Sequence, residues 1–104
     1  MNIGSLYQVS WGFWLLFPTK ETTAIHGFSH TSGYADNENA AWWAARYSRA
    51  YNCNVTWFRP ESFVVFLEED GKLKKFLTSE GLIGWTWVGE EHNDCFEEVK
   101  TAEQ

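Results

Sequence analysis

The stretch SFVVFLEEDGKLKKFLT, residues 62–78, decides how the rest of the chain is read. Ser62 to Glu69 is rich in aromatic and β-branched residues and predicts a strand, and Lys72 to Thr78 returns beside it. Between them, Asp70-Gly71 predicts a tight hairpin, because such a turn needs positive φ and these two residues tolerate it. Ser79-Glu80-Gly81 turns the chain again, and Leu82 to Val88 (LIGWTWV) is a further strand. Upstream, Cys53 to Arg59 (CNVTWFR) is another, ended by Pro60-Glu61. Strands that follow one another through short turns form an antiparallel sheet, not alternating βαβ units.

Before this run lies a helix. Asp36 is its N-cap, Ala40, Ala41, Ala44, Ala45 and Ala50 favour it, and it reaches about Tyr51, with Asn52 as a left-handed stop. Ala40, Trp43, Ala44, Tyr47 and Tyr51 share one stripe, the face turned toward the sheet. The alternation from Leu6 to Phe17 predicts one strand, apolar on both faces at its far end through Trp14 and Leu16 and stopped by Pro18. Pro18 to Glu21 reads as a turn, Thr22 to Ser29 as the returning strand, and His30 to Ala35 (HTSGYA) as a loop. Asn93 to Ala102 can form a short terminal helix, with Phe96 and Val99 one turn apart. The expected fold is α+β: five to six antiparallel strands with one main helix on a face, ordered ββ-α-ββββ, as a single domain over residues 1–104.

Composition narrows the function classes. With 44% hydrophobic and 21% charged residues and two prolines, a disordered chain is excluded. The longest apolar run, Trp11 to Phe17, is far short of the ~20 residues of a membrane helix. No secretory signal is visible. Two cysteines make no disulfide framework; a Cys53–Cys95 bridge stays open, but free thiols in a cytoplasmic protein are the expectation. Eight basic against fourteen acidic residues give net −6, which argues against phosphate-driven nucleic-acid binding. From Glu90 onward there are six acids and one base, net −5. Such an end attracts basic protein surfaces, though it also serves to keep an aromatic-rich chain in solution. Seven Trp, eight Phe and four Tyr are more ring surface than one small core holds. Some rings should therefore be exposed, where Trp acts as an interface anchor.

Five constellations bear on chemistry. His26 with His30 and His92 with Cys95 have zinc-like spacing, yet the first pair straddles a predicted strand end and the second sits in an acidic tail, so no metal is expected. Cys53 and Cys95 lack the surroundings of a nucleophile, and no catalytic residue is assigned. Gly27 to Gly33 (GFSHTSG) leads into the helix start but lacks the lysine of a phosphate loop, so no cofactor is expected. Trp42, Arg46 and Arg49 lie on a second helix face, of the residue types that carry binding energy; a broad apolar face with solvated arginines explains them equally well. Glu68-Glu69-Asp70 and Glu90, Glu91, Asp94 are poor acid–base pairs but form negative patches, such as occupy a nucleic-acid groove in the place of phosphates.

In size, α+β reading, acidic runs (Glu68-Glu69-Asp70 and Glu90 to Asp94) and Trp excess, the chain resembles the small anti-defence inhibitors of phages and mobile elements, the anti-CRISPR proteins. The resemblance is of type and transfers no site residue. It implies a non-enzymatic, cytoplasmic protein that binds a host defence complex through a basic surface and blocks its nucleic-acid binding, itself touching neither nucleic acid nor membrane. The alternative is a small-ligand or nucleotide domain with an aromatic pocket between helix and sheet. A strand such as Leu82 to Val88 at a sheet edge would also allow a homodimer.

Overall fold

The structure is a computed structural model that describes residues 1–29 and 33–100. Its elements are β1 (Leu6–Val9), β2 (Phe13–Leu16), α1 (Lys20–Ser29), β3 (Gly33–Tyr34), α2 (Asn37–Ala50), β4 (Thr56–Phe58), β5 (Phe63–Asp70), β6 (Leu73–Thr78), β7 (Ile83–Trp87), a 3₁₀ helix (Glu90–Cys95) and β8 (Phe96–Glu98). The antiparallel α+β class is as expected. The strands, however, divide into two sheets, a five-stranded one of order β7-β6-β5-β1-β8 and a three-stranded one of order β3-β2-β4.

The three-stranded sheet is the middle layer. Trp14, Leu16 and Phe58 face a core shared with Tyr7, Val9, Val64, Phe66, Phe76 and Phe96 of the larger sheet. On the other side Leu15, Phe17 and Val55 meet Ala40, Ala44 and Tyr47 of α2. This is why the sequence is apolar on both faces from Trp14 to Phe17: each face has its own core. The helix stripe is as expected, with Trp43 and Tyr51 packed at its margin. Asp36 caps α2 by accepting the Asn39 N–H at 2.8 Å, and Asn52 leaves it at φ 49°.

Four expectations are corrected. The single strand from Leu6 to Phe17 is two, because Gly12 at φ 95° turns the chain out of one sheet and into the other, and a Cβ there would lie 2.9 Å from the Trp14 indole nitrogen. Thr22 to Ser29 is helical. Thr19 accepts the Thr22 N–H at 3.3 Å and its carbonyl accepts the Thr23 hydroxyl at 2.7 Å, so the threonines cap the helix start instead of pairing as a strand. In the hairpin, Asp70 pairs with Leu73 across the loop Gly71-Lys72, one residue later than Asp70-Gly71. Where a terminal helix over Asn93–Ala102 was expected, the described part is the end of a 3₁₀ helix followed by β8, because Phe96 is buried when paired beside Val9 on β1; Thr101 and Ala102 lie outside the described residues.

A bridge joins the two sheets. The Phe17 N–H donates to the Trp85 carbonyl and the Trp85 N–H to the Phe17 carbonyl, both at 2.8 Å. Gly84 permits the approach, since a Cβ there would stand 2.7 Å from the Phe17 oxygen. The centre of the outer β7 edge is thus bonded to Phe17 from within the chain.

Along α2 the rings of Tyr34, Trp43, Tyr47 and Tyr51 stack in series. The buried Tyr34 hydroxyl has no hydrogen-bond partner among the described residues. Burial, then Tyr47, pushes its phenol up; burial and Tyr51 push Tyr47 up, against an opposing pull from Arg46. The folded phenols hold their protons where unfolded ones lose them, so stability is complete below about pH 10 and falls as pH rises beyond it. Tyr34→Phe should make that alkaline loss shallower and leave stability at neutral pH equal or up to about 1 kcal/mol higher, as read from urea midpoints. A marked loss at neutral pH would contradict the hydroxyl's lack of a partner.

Candidate protein interface

Direct cross-strand partners point to the same side of a sheet. In the five-stranded sheet Leu6 opposes Val65, Val65 opposes Leu77, and Leu77 opposes Ile83. The register of β8 continues this row to Val99, whose N–H donates to the Leu6 carbonyl at 2.9 Å. Their neighbours along each strand, such as Tyr7, Val64 and Phe76, fill the core, so the row faces outward. Every position from one edge of the sheet to the other is aliphatic. Leu6, Leu77 and Val99 are exposed, Ile83 is 55% exposed, and Phe63 extends the row as another exposed apolar residue. An apolar row running across a sheet face makes this face the candidate interface. Neither a protein-family model, nor a curated protein, nor a solved structure matches the chain.

Acidic residues border one end of this surface. Glu97 opposes Gln8 on β1, which in turn opposes Phe63, so its carboxylate lies on the outward face. The 3₁₀ helix that feeds β8 carries Glu90, Glu91 and Asp94, all exposed. None of these four forms an ion pair with a described residue. The helix is pinned beside the β1–β2 loop, where Ser10 donates from its amide to the Cys95 carbonyl and from its hydroxyl to the Asp94 carbonyl. That loop holds Trp11, 48% exposed, edge-on to the buried Trp14, which stands edge-on to His92. One exposed indole and a set of unmatched carboxylates therefore lie side by side.

Glu68 and Asp70 share this outward face, opposite Lys75 and Leu73 of β6, while the α2 candidates lie elsewhere. Glu68, Glu69 and Asp70 are matched by Lys75 at 3.4 Å, Lys74 at 3.0 Å and Lys20 at 3.3 Å, so the expected negative patch on this hairpin is neutralised within the fold. Lys20 and Lys75 also stand 5.5 and 5.8 Å from the Trp85 ring centre, fastening α1 to the sheet. Trp42 is 55% exposed on α2 with the Arg46 guanidinium 5.5 Å from its ring centre, and Arg49 is exposed in the last turn. This face lies on the helix layer, away from the outward face of the five-stranded sheet.

Among the described residues no three His, Cys, Asp or Glu side chains converge to hold a metal. The His26 side chain and His30 lie outside the described part, while His92 and Cys95 are both on the 3₁₀ helix. Burial pushes both thiols up, Cys95 further by Asp94, and both cysteines are free. The space between α2 and its sheet, where the alternative reading put an aromatic pocket, holds the second core. A cavity of about 300 Å³ lies instead beside β4, lined by Thr56, Trp57, Arg59, Glu80 and Leu82. No described helix is long and apolar enough to cross a membrane.

Sequence reasoning found the acids and the exposed indoles but missed the aliphatic row. The signal was the run FVVFL in β5, apolar on both faces of a strand, together with Leu6 and Ile83.

Proposed function

We propose that this protein is a non-enzymatic, stoichiometric inhibitor that docks the outward face of its five-stranded sheet on a protein partner with a basic rim. The observation that carries this reading is the unbroken aliphatic row Val99, Leu6, Val65, Leu77, Ile83 with unpaired carboxylates at its β8 end. Apolar burial supplies the hold, and Glu90, Glu91, Asp94 and Glu97 supply steering and orientation. A partner that handles nucleic acid in a cationic groove meets this description. A host defence complex is such a partner, consistent with the anti-CRISPR resemblance, and the cytoplasm, which keeps Cys53 and Cys95 reduced, is the setting.

The test is affinity capture from a host lysate at low and high salt, followed by measurement of nucleic-acid binding by the captured partner. A basic protein that loses its nucleic acid when bound, with capture weakened by salt, is the expected result. Retention of nothing, or of partners indifferent to salt, overturns the proposal. Against a purified partner, the triple reversal Glu90→Lys, Glu91→Lys, Asp94→Lys should slow association on the order of tenfold at low salt and alter dissociation little.

A further inference from the structure

The cavity beside β4 has two walls, each fixed by hydrogen bonds. On one, the Trp57 indole N–H donates to Asn37 Oδ1 at 2.9 Å, which sets the ring against α2. On the other, the Leu82 N–H donates to the Thr78 hydroxyl at 3.1 Å and the Thr78 N–H to the Leu82 carbonyl at 2.8 Å, which sets the turn carrying Glu80 and Leu82. Arg59 and Glu80 line the same cavity, yet neither forms an ion pair with the other or with any described residue. A cation and an anion thus line one space without pairing with each other.

β4 is an edge strand of its sheet. Its inner side pairs with β2 through Thr56, Trp57 and Phe58. No further backbone bond from these three residues occurs among the described residues. Edge groups left open beside a cavity accept an extended chain, which adds as a further strand and sends alternate side chains into the space.

We propose that this cleft binds an extended peptide by strand addition to β4, with a peptide carboxylate at Arg59 and a basic side chain at Glu80. The charge balance selects this class. The walls carry one positive and one negative group, which suits a ligand with one of each. A nucleotide phosphate would meet a single arginine, an adjacent carboxylate and a net −6 chain. Trp57 and Leu82 supply apolar contact between the two charged ends. The cleft shares no lining residue with the aliphatic row, so this binding stands or falls independently of the inhibitor reading.

The test is titration of the ¹⁵N-labelled protein with the peptide Ac-Lys-Val-Leu bearing a free carboxylate, followed by amide chemical shifts. Saturable shifts at Thr56, Trp57, Phe58 and the Trp57 indole are expected, with a Kd in the millimolar range or tighter. The C-terminal carboxamide should bind about tenfold more weakly, and Arg59→Gln should remove most of that difference. Ac-Lys-Pro-Leu, which lacks the central N–H, should bind more weakly than the valine peptide. Absence of shifts at about 10 mM peptide, shifts confined to other surfaces, equal binding of acid and amide, or shifts here with guanosine monophosphate but not the peptide would each overturn the assignment.

Discussion

Phe76→Ala is expected to lower folding stability by about 3–5 kcal/mol. The ring is fully buried at the point where the two sheets meet. It stacks on Phe96 of β8 at 5.3 Å and 7°, and lies 5.6 Å from Phe66 of β5 and 5.8 Å from Phe58 of β4. Removing it takes the common neighbour from three strands of two sheets, and the large rings around it cannot all collapse into the gap. Small domains have roughly 5–15 kcal/mol in total, so the loss is a large share. Urea unfolding should show a lowered midpoint at an unchanged slope, because the same surface is exposed on unfolding. Phe76→Leu keeps most of the volume and should cost well under half as much. A loss below about 1 kcal/mol for the alanine variant would mean that the sheets do not share this core.

How far the fold could be read depends on what periodicity registers. The hairpin of β5 and β6, the strand β7 and the helix α2 were legible because the local signals agree with the tertiary outcome. Each has a turn or cap residue at its end and a pattern of matching period. The break at Gly12 was not legible, because Tyr7, Val9, Trp11, Phe13, Leu15 and Phe17 keep the same alternation through it. Only the positive φ of Gly12 reveals that Val9 and Phe13 belong to different sheets. Helix α1 was misread for a related reason. Its two threonines favour strands in isolation, yet their hydroxyls bond to the first turn. Phe96 follows the same logic at the other end: its spacing from Val99 suits a helix, but the open side of β1 and the buried slot beside Trp14 draw it into a strand.

The site divides in the same way. The acids from Glu90 to Glu97 were visible as local charge, and Trp11 as an indole in a short loop. Whether an acid is free was not visible: Glu69 and Glu91 look alike in sequence, yet only Glu69 has a lysine placed against it by strand register. The aliphatic row was the hardest part. Its members come from four strands and the residue that follows β8, and they align only once register is known.

Leu77→Lys is expected to weaken partner binding by at least about 100-fold, or about 2.7 kcal/mol, while leaving the fold intact. Leu77 sits inside the row, opposite Val65 on one side and Ile83 on the other, so any molecule covering the row covers it. It is exposed in the free protein, and a lysine there can extend its ammonium into water at little cost to stability. In the complex the same ammonium would be stripped of water against apolar surface and would also repel the basic rim that Glu97 is placed to meet. Leu77→Thr separates these two contributions. It retains strand preference and adds no charge, so it should lose about tenfold, from apolar contact alone. Trp42→Ala serves as the control, since that ring lies on the helix layer and its removal should leave affinity unchanged. If Leu77→Lys bound as tightly as the parent protein while Trp42→Ala did not, the interface would have to move to α2, and the acids of the 3₁₀ helix would lose their assigned role.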